Sequence, residues 1–154
     1  VKILDRQPKW RSEWSVSHCL SLQYPRGYRV GVEPIKITKE NFSAQVPAEG
    51  IAILDFWAPW CMPCNQFAPV FEAAASRHSD VVFGKVNTDE QQELAAAFKI
   101  RSIPSVIVFR DGIVMYEKAG ILNGRTLDTL LESIRTTNMD AVKADINAAL
   151  AKDA

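Results

Sequence analysis

Ile51-Ala52-Ile53-Leu54-Asp55-Phe56-Trp57-Ala58-Pro59-Trp60-Cys61-Met62-Pro63-Cys64 carries a nearly continuous apolar segment straight into a Cys-x-x-Cys pair. Ile51 to Trp57 reads as a central β-strand covered on both faces, because only Asp55 interrupts its apolar residues. Beyond the pair, Phe67, Val70, Phe71, Ala74 and Ala75 fall at i, i+3, i+4, i+7 and i+8, which places one apolar stripe on a helix from about Cys61 to His78. Pro69 should kink that helix. The two cysteines therefore stand where a buried strand hands over to a helix.

Short β-rich runs and helical runs alternate on either side, the signature of an α/β layer fold. Ile35 to Thr38 is a short strand and Lys39 to Gln45 a short helix. Val81 to Val86 is a second buried strand, after which Thr88 or Asp89 caps a helix carrying Leu94, Ala97 and Phe98 on one face. Ser105 to Phe109 and Ile113 to Glu117 flank Arg110-Asp111-Gly112, where Asp-Gly signals an antiparallel hairpin. Leu127, Leu130, Leu131 and Ile134 make a closing amphipathic helix. Asn138 to Ala154 sets Met139, Val142, Ile146 and Leu150 at helical spacing, an extra C-terminal helix expected to dock on its own domain. Before Pro34 no period is sustained, although Trp10, Trp14, Tyr24 and Tyr28 are more aromatics than a disordered tail usually carries. The expected organisation is an irregular extension over 1–34, a domain over 35–137 and the extra helix over 138–154.

A chain of 154 residues, 47% of them apolar, is enough to close one hydrophobic core. Its 18 basic and 18 acidic residues leave no net charge to argue for nucleic acid or an anionic membrane surface. The balance is uneven, with seven basic and three acidic residues up to Lys36. No apolar run approaches the roughly 20 residues of a membrane helix. Val1-Lys2-Ile3-Leu4-Asp5-Arg6 has neither the long apolar core nor the small-residue cleavage site of a secretory signal, so a cytoplasmic protein is expected; a leader removed before Val1 would leave no trace. Three cysteines are too few for a disulfide scaffold.

A thiol at a helix N-terminus meets unpaired N–H groups and the positive end of the helix dipole, both of which favour the thiolate. Free cysteine has a pKa of about 8.5, and helix-start cysteines of Cys-x-x-Cys pairs fall to about 7 or below. Cys61 is thus the expected nucleophile. Cys64, one turn on and deeper, is suited to attack a mixed disulfide and release the reduced substrate. Pro63 lacks an N–H where a helix needs none and stiffens the spacer. Two other readings of the pair remain. Half of a zinc site would need further ligands, for which only Cys19, His18 and His78 are at hand without a second Cys-x-x-Cys. A static disulfide is the other, although a strand-to-helix junction is the redox setting.

Trp57-Ala58-Pro59-Trp60-Cys61-Met62-Pro63-Cys64 resembles the active-site segment of the thioredoxin family. Asp55, Lys85 in Gly84-Lys85-Val86-Asn87, Ile103-Pro104, Asp111-Gly112 and Gly120 follow in that family's order at about its spacing, so the resemblance spans roughly Ile35 to Thr136. It implies the thioredoxin fold, a central mixed β-sheet flanked by helices. It also implies reduction of protein disulfides through a dithiol/disulfide cycle in a monomer that binds no cofactor. Partners would be disulfide-containing proteins and a recycling reductase such as a thioredoxin reductase. Asp55, its pKa raised by burial, would take a proton from Cys64, with Lys85 tuning it. The Ile103-Pro104 bond would be cis and face the cysteines. Trp60, Met62, Pro63, Ile103, Pro104 and Gly120 would form a shallow apolar rim for flexible protein substrates, while Trp57 packs against the active-site helix. Met62 departs from the family, which usually has Gly there, so a disulfide oxidant or isomerase stays open as an alternative. A non-catalytic binding module on the same scaffold is a third reading, against which intact Cys61, Cys64 and Asp55 argue. Cys19 receives no role.

Overall fold

The computed structural model describes residues 33–152. All but the end of the expected N-terminal extension, including Trp10, Trp14, His18, Cys19, Tyr24 and Tyr28, lies outside the described residues.

Five strands, β1 (Ile35–Lys36), β2 (Ile51–Trp57), β3 (Val81–Asn87), β4 (Ser105–Arg110) and β5 (Ile113–Ala119), form one sheet in the order β1-β3-β2-β4-β5. β1, β3 and β2 run parallel, β4 lies antiparallel to β2, and β5 lies antiparallel to β4, so the sheet is mixed. Helices α1 (Phe42–Gln45), α2 (Met62–Arg77), α3 (Gln92–Ala97), α4 (Gly124–Thr136) and α5 (Met139–Lys152) cover it.

Alternation along β2 divides the core. Ile51 and Ile53 face α2, α4 and α5, where they meet Phe67, Phe71, Leu127, Leu131, Met139 and Val142. Ala52, Leu54 and Phe56 face α1 and α3, among Phe42, Leu94 and Phe98. Ring contacts at 5.6–5.8 Å link Phe98 to Phe42, Phe56 and Phe109, each adding about 0.5–1.5 kcal/mol to the area buried. Every residue of β2 up to Phe56 is buried, as the apolar run requires. Gly84 on β3 is where β1 closes on β2, and a Cβ there would sit 2.5 Å from Ile37 Cγ1 and 2.6 Å from Leu54 Cδ2.

Asp111 and Gly112 both have positive φ, 52° and 72°, as a two-residue hairpin turn with the sheet's twist demands. α2 runs through Pro69 as one helix. Two expectations need correction, and a third holds except at its last residue. β1 and α1 are shorter than read, because Thr38 N–H donates to Asn41 Oδ1 at 2.8 Å and Asn41 N–H to Thr38 Oγ1 at 3.3 Å. Such local side-chain bonds compete with regular structure and hold a turn where strand and helix were expected. Neither Thr88 nor Asp89 caps α3: Asn87 Oδ1 accepts Asp89 N–H at 3.0 Å, turning the chain, and the helix starts after Gln91 without a side-chain cap. Finally, α5 docks through Met139 and Val142 and partly Ile146, but Leu150 is 59% exposed.

Candidate active site

β2 ends at Trp57, and after the turn Ala58-Pro59-Trp60 the chain enters α2 with Cys61 as its N-cap, in extended backbone conformation. At that position the side chain points back at the first free amides, and Cys61 Sγ accepts the Cys64 N–H at 3.2 Å. Pro63 occupies the first turn, where its missing N–H costs nothing. Cys61 and Cys64 are joined in a disulfide with their Cα atoms 5.2 Å apart. Both are buried among Ala58, Trp57 and Ile103. The residues beside Cys61 are not: Trp60 is 70% and Met62 68% exposed.

The segment facing the pair comes from the start of β4. Ile103–Pro104 is a cis peptide, and the Ile103 carbonyl oxygen lies 3.8 Å from Cys61 Sγ. Gly120, just past β5, donates its N–H to the Pro104 carbonyl at 2.7 Å from a backbone at φ 101°, a conformation open mainly to glycine. An open groove of about 470 Å³ results, lined by Trp60, Cys61, Met62, Pro63 and Ile103. Of the expected rim, Pro104 is buried and Gly120 reaches the site only through Pro104; neither lines the groove. Several residues not anticipated contribute. Arg101 and Ser102 line the groove, and their adjacency to Ile103-Pro104 is the signal that would have found them. Asp89 accepts the Trp60 indole N–H, at 3.1 and 3.3 Å to its two oxygens, and holds that wall of the groove.

Asp55 lies on the β2 face shared with Ile51 and Ile53, the face that α2 covers, in register with Lys85 on β3 and Val106 on β4. It is fully buried, and neither carboxylate oxygen has a hydrogen-bond partner among the described residues. Burial pushes its pKa up to about 7, against the opposing pull of the Lys85 charge. Lys85 is not bonded to that acid; its ammonium stands 4.7 Å above the Trp57 ring. Among the described residues no group of three or more His, Cys, Asp or Glu could hold a metal ion.

A cysteine pair that caps a helix, faces a cis Ile103–Pro104 peptide beside an open groove and follows a strand burying an acid poised near neutrality defines a thiol–disulfide oxidoreductase. Residues 33–136 match the sequence profile of the family described as Thioredoxin. A Streptomyces coelicolor protein provisionally named thioredoxin 2 is 42% identical over 71% of this chain and 81% of its own. A Bacillus subtilis thioredoxin is 38% identical over 63% of this chain and 93% of its own. Among solved structures, a single-residue mutant of a thioredoxin from Halobacterium salinarum superposes with a TM-score of 0.62 at 31% identity, covering 66% of this chain and 90% of that one. The chain belongs to the thioredoxin family and is a protein-disulfide reductase. No helix among the described residues is long and apolar enough to cross a membrane.

Proposed function

We propose that Cys61 is the attacking thiol, Cys64 the resolving thiol, Asp55 the proton acceptor for Cys64 and Lys85 the charge that tunes Asp55. The observation that carries this reading is a helix-capping disulfide that follows directly on a strand burying one unbonded carboxyl, Asp55. In the reduced chain the Cys61 thiolate attacks one sulfur of a substrate disulfide, forming a mixed disulfide and expelling the other substrate sulfur as thiolate. Cys64 passes its proton to Asp55 and attacks Cys61 Sγ. The Cys61–Cys64 disulfide forms and the second substrate sulfur leaves as thiolate, so two electrons have moved from the pair to the substrate. A recycling reductase, of the kind that serves the family, returns them. Trp60, Met62, Pro63 and Ile103 supply an apolar groove for an extended segment around the substrate cysteine, with Pro104 and Gly120 fixing the backbone on its far side. The catalytic unit is residues 35–137, with α5 as an added support, and the chain works as a monomer in the cytoplasm.

Trapping tests the roles. Cys64→Ser should accumulate a mixed disulfide through Cys61, and Cys61→Ser should accumulate none and lose activity. A mixed disulfide through Cys64 in the Cys61→Ser chain would reverse the assignment. The direction of electron flow is read from the reduction potential of the pair: a value near about −270 mV fits a reductase, whereas one near about −120 mV would mark an oxidant.

A further inference from the structure

With Cys61 and Cys64 bonded to each other, neither carries a thiolate, and the accessible sulfur of the groove is the Met62 thioether. The chain contains three methionines. Met115 and Met139 are 7% exposed and packed in the core on the α2 face of the sheet, whereas Met62 is 68% exposed and lines the groove beside Cys61. Thioether oxidation requires that the oxidant reach the sulfur, and its product, methionine sulfoxide, is polar where the thioether was apolar.

We propose that Met62 is a regulatory oxidation site of the disulfide form. Hydrogen peroxide transfers one oxygen atom to the Met62 sulfur; the O–O bond breaks, an S–O bond forms, the thioether is oxidised by two electrons and water leaves. In the dithiol form the Cys61 thiolate is the stronger nucleophile and intercepts the oxidant first. Met62 is therefore vulnerable in the state the chain occupies when its supply of reductant has failed. A sulfoxide at residue 62 puts a polar S=O group on the groove lining beside Cys61 and disfavours apolar substrate segments. This consequence rests on the reading of the groove as the substrate site. A methionine sulfoxide reductase reverses the modification.

The test uses the full-length disulfide form, with Cys19 first capped by N-ethylmaleimide, exposed to hydrogen peroxide. Peptide mass mapping should show oxygen added at Met62 at least about tenfold faster than at Met115 or Met139, in line with exposure. After re-reduction of the cysteines, KM for a disulfide-bonded protein such as insulin should be several-fold higher, and methionine sulfoxide reductase should restore it. Met62→Leu, compared with itself before and after peroxide, should keep its own KM. Equal rates at the three methionines overturn the site, and a peroxide-induced rise in KM in the Met62→Leu chain overturns its regulatory role. Met62→Gln, which carries a permanent polar group, separates the two readings. If selective oxidation leaves KM unchanged while Met62→Gln raises it, the regulation fails. If neither changes KM, the groove reading fails.

Discussion

Asp55 must be desolvated completely in order to fold, and that penalty depends on pH. In an unfolded chain its carboxyl would titrate near 3.8, whereas in the fold burial holds the proton until about 7. Between those values the native state binds more protons than the unfolded one, so stability falls as pH rises through the window. Below it both states are protonated and no penalty remains; above it the full penalty applies, a gap of about 3 pK units or about 4 kcal/mol. Urea unfolding from pH 4 to pH 8 should show wild type losing stability with this sign, and Asp55→Asn, which cannot ionise, should flatten the curve. A wild-type chain whose stability from this residue rose with pH would mean that Asp55 is paired as an anion. The same substitution should slow the resolving step by roughly a hundredfold, within the range for loss of a positioned base, with mixed disulfide accumulating as the readout. At this scale the sequence was informative: one acid inside Ile51 to Trp57 could only be costly or useful. It did not show that Lys85 would stand over Trp57, because that depends on side-chain packing rather than strand register.

Elements were legible where one periodicity acted alone. β2, α2 and α4 follow from apolar spacing, and the hairpin follows from Asp111-Gly112, whose short or absent side chains accept positive φ. Boundaries were lost where polar side chains bonded to nearby backbone. Gln91 spends its amide oxygen on Lys39 N–H at 2.9 Å, so α3 starts without a cap. The Asn87 turn directs Asp89 out to Trp60, and a residue that looks like a cap from sequence becomes a wall support. A pattern can show which residues are apolar, but not which of several acceptors a donor reaches. Gly84 belongs to the same class, since nothing local demands glycine in β3. The demand comes from Ile37 and Leu54 on both sides. Gly84→Ala must push those side chains apart and should cost about 1–3 kcal/mol, the usual range for overpacking, read as a lower urea midpoint at unchanged m-value. A cost below about 0.5 kcal/mol would show that β1 gives way freely.

For the molecule as a whole, the question is what α5 contributes to a fold whose family profile ends at residue 136. Asn138 caps it, its Oδ1 accepting Asp140 and Ala141 N–H at 3.1 and 3.2 Å. Arg110 at the end of β4 binds the carbonyls of Ile134, Arg135 and Thr137, closing the α4 end from which α5 departs. Lys143 reaches Asp111 of the hairpin turn at 3.5 Å. A 14-residue helix is marginal by itself in water, so its order comes from Met139 and Val142, each buried to 7% exposure against the α2–α4 face. Contacts fade along the helix through Ile146 to exposed Leu150, which implies a gradient in mutational cost. In the full chain Met139→Ala should lose about 2–5 kcal/mol, Val142→Ala somewhat less as the smaller side chain, and Leu150→Ala no more than about 0.5 kcal/mol. No residue of α5 belongs to the cluster around Cys61 and Cys64, so at a temperature where all three variants remain folded their KM for a protein disulfide should match wild type. Equal costs at residues 139 and 150 would mean that α5 is not part of the core. A change in KM would mean that it reaches the site through the sheet, and residues 35–137 would then no longer suffice as the catalytic unit.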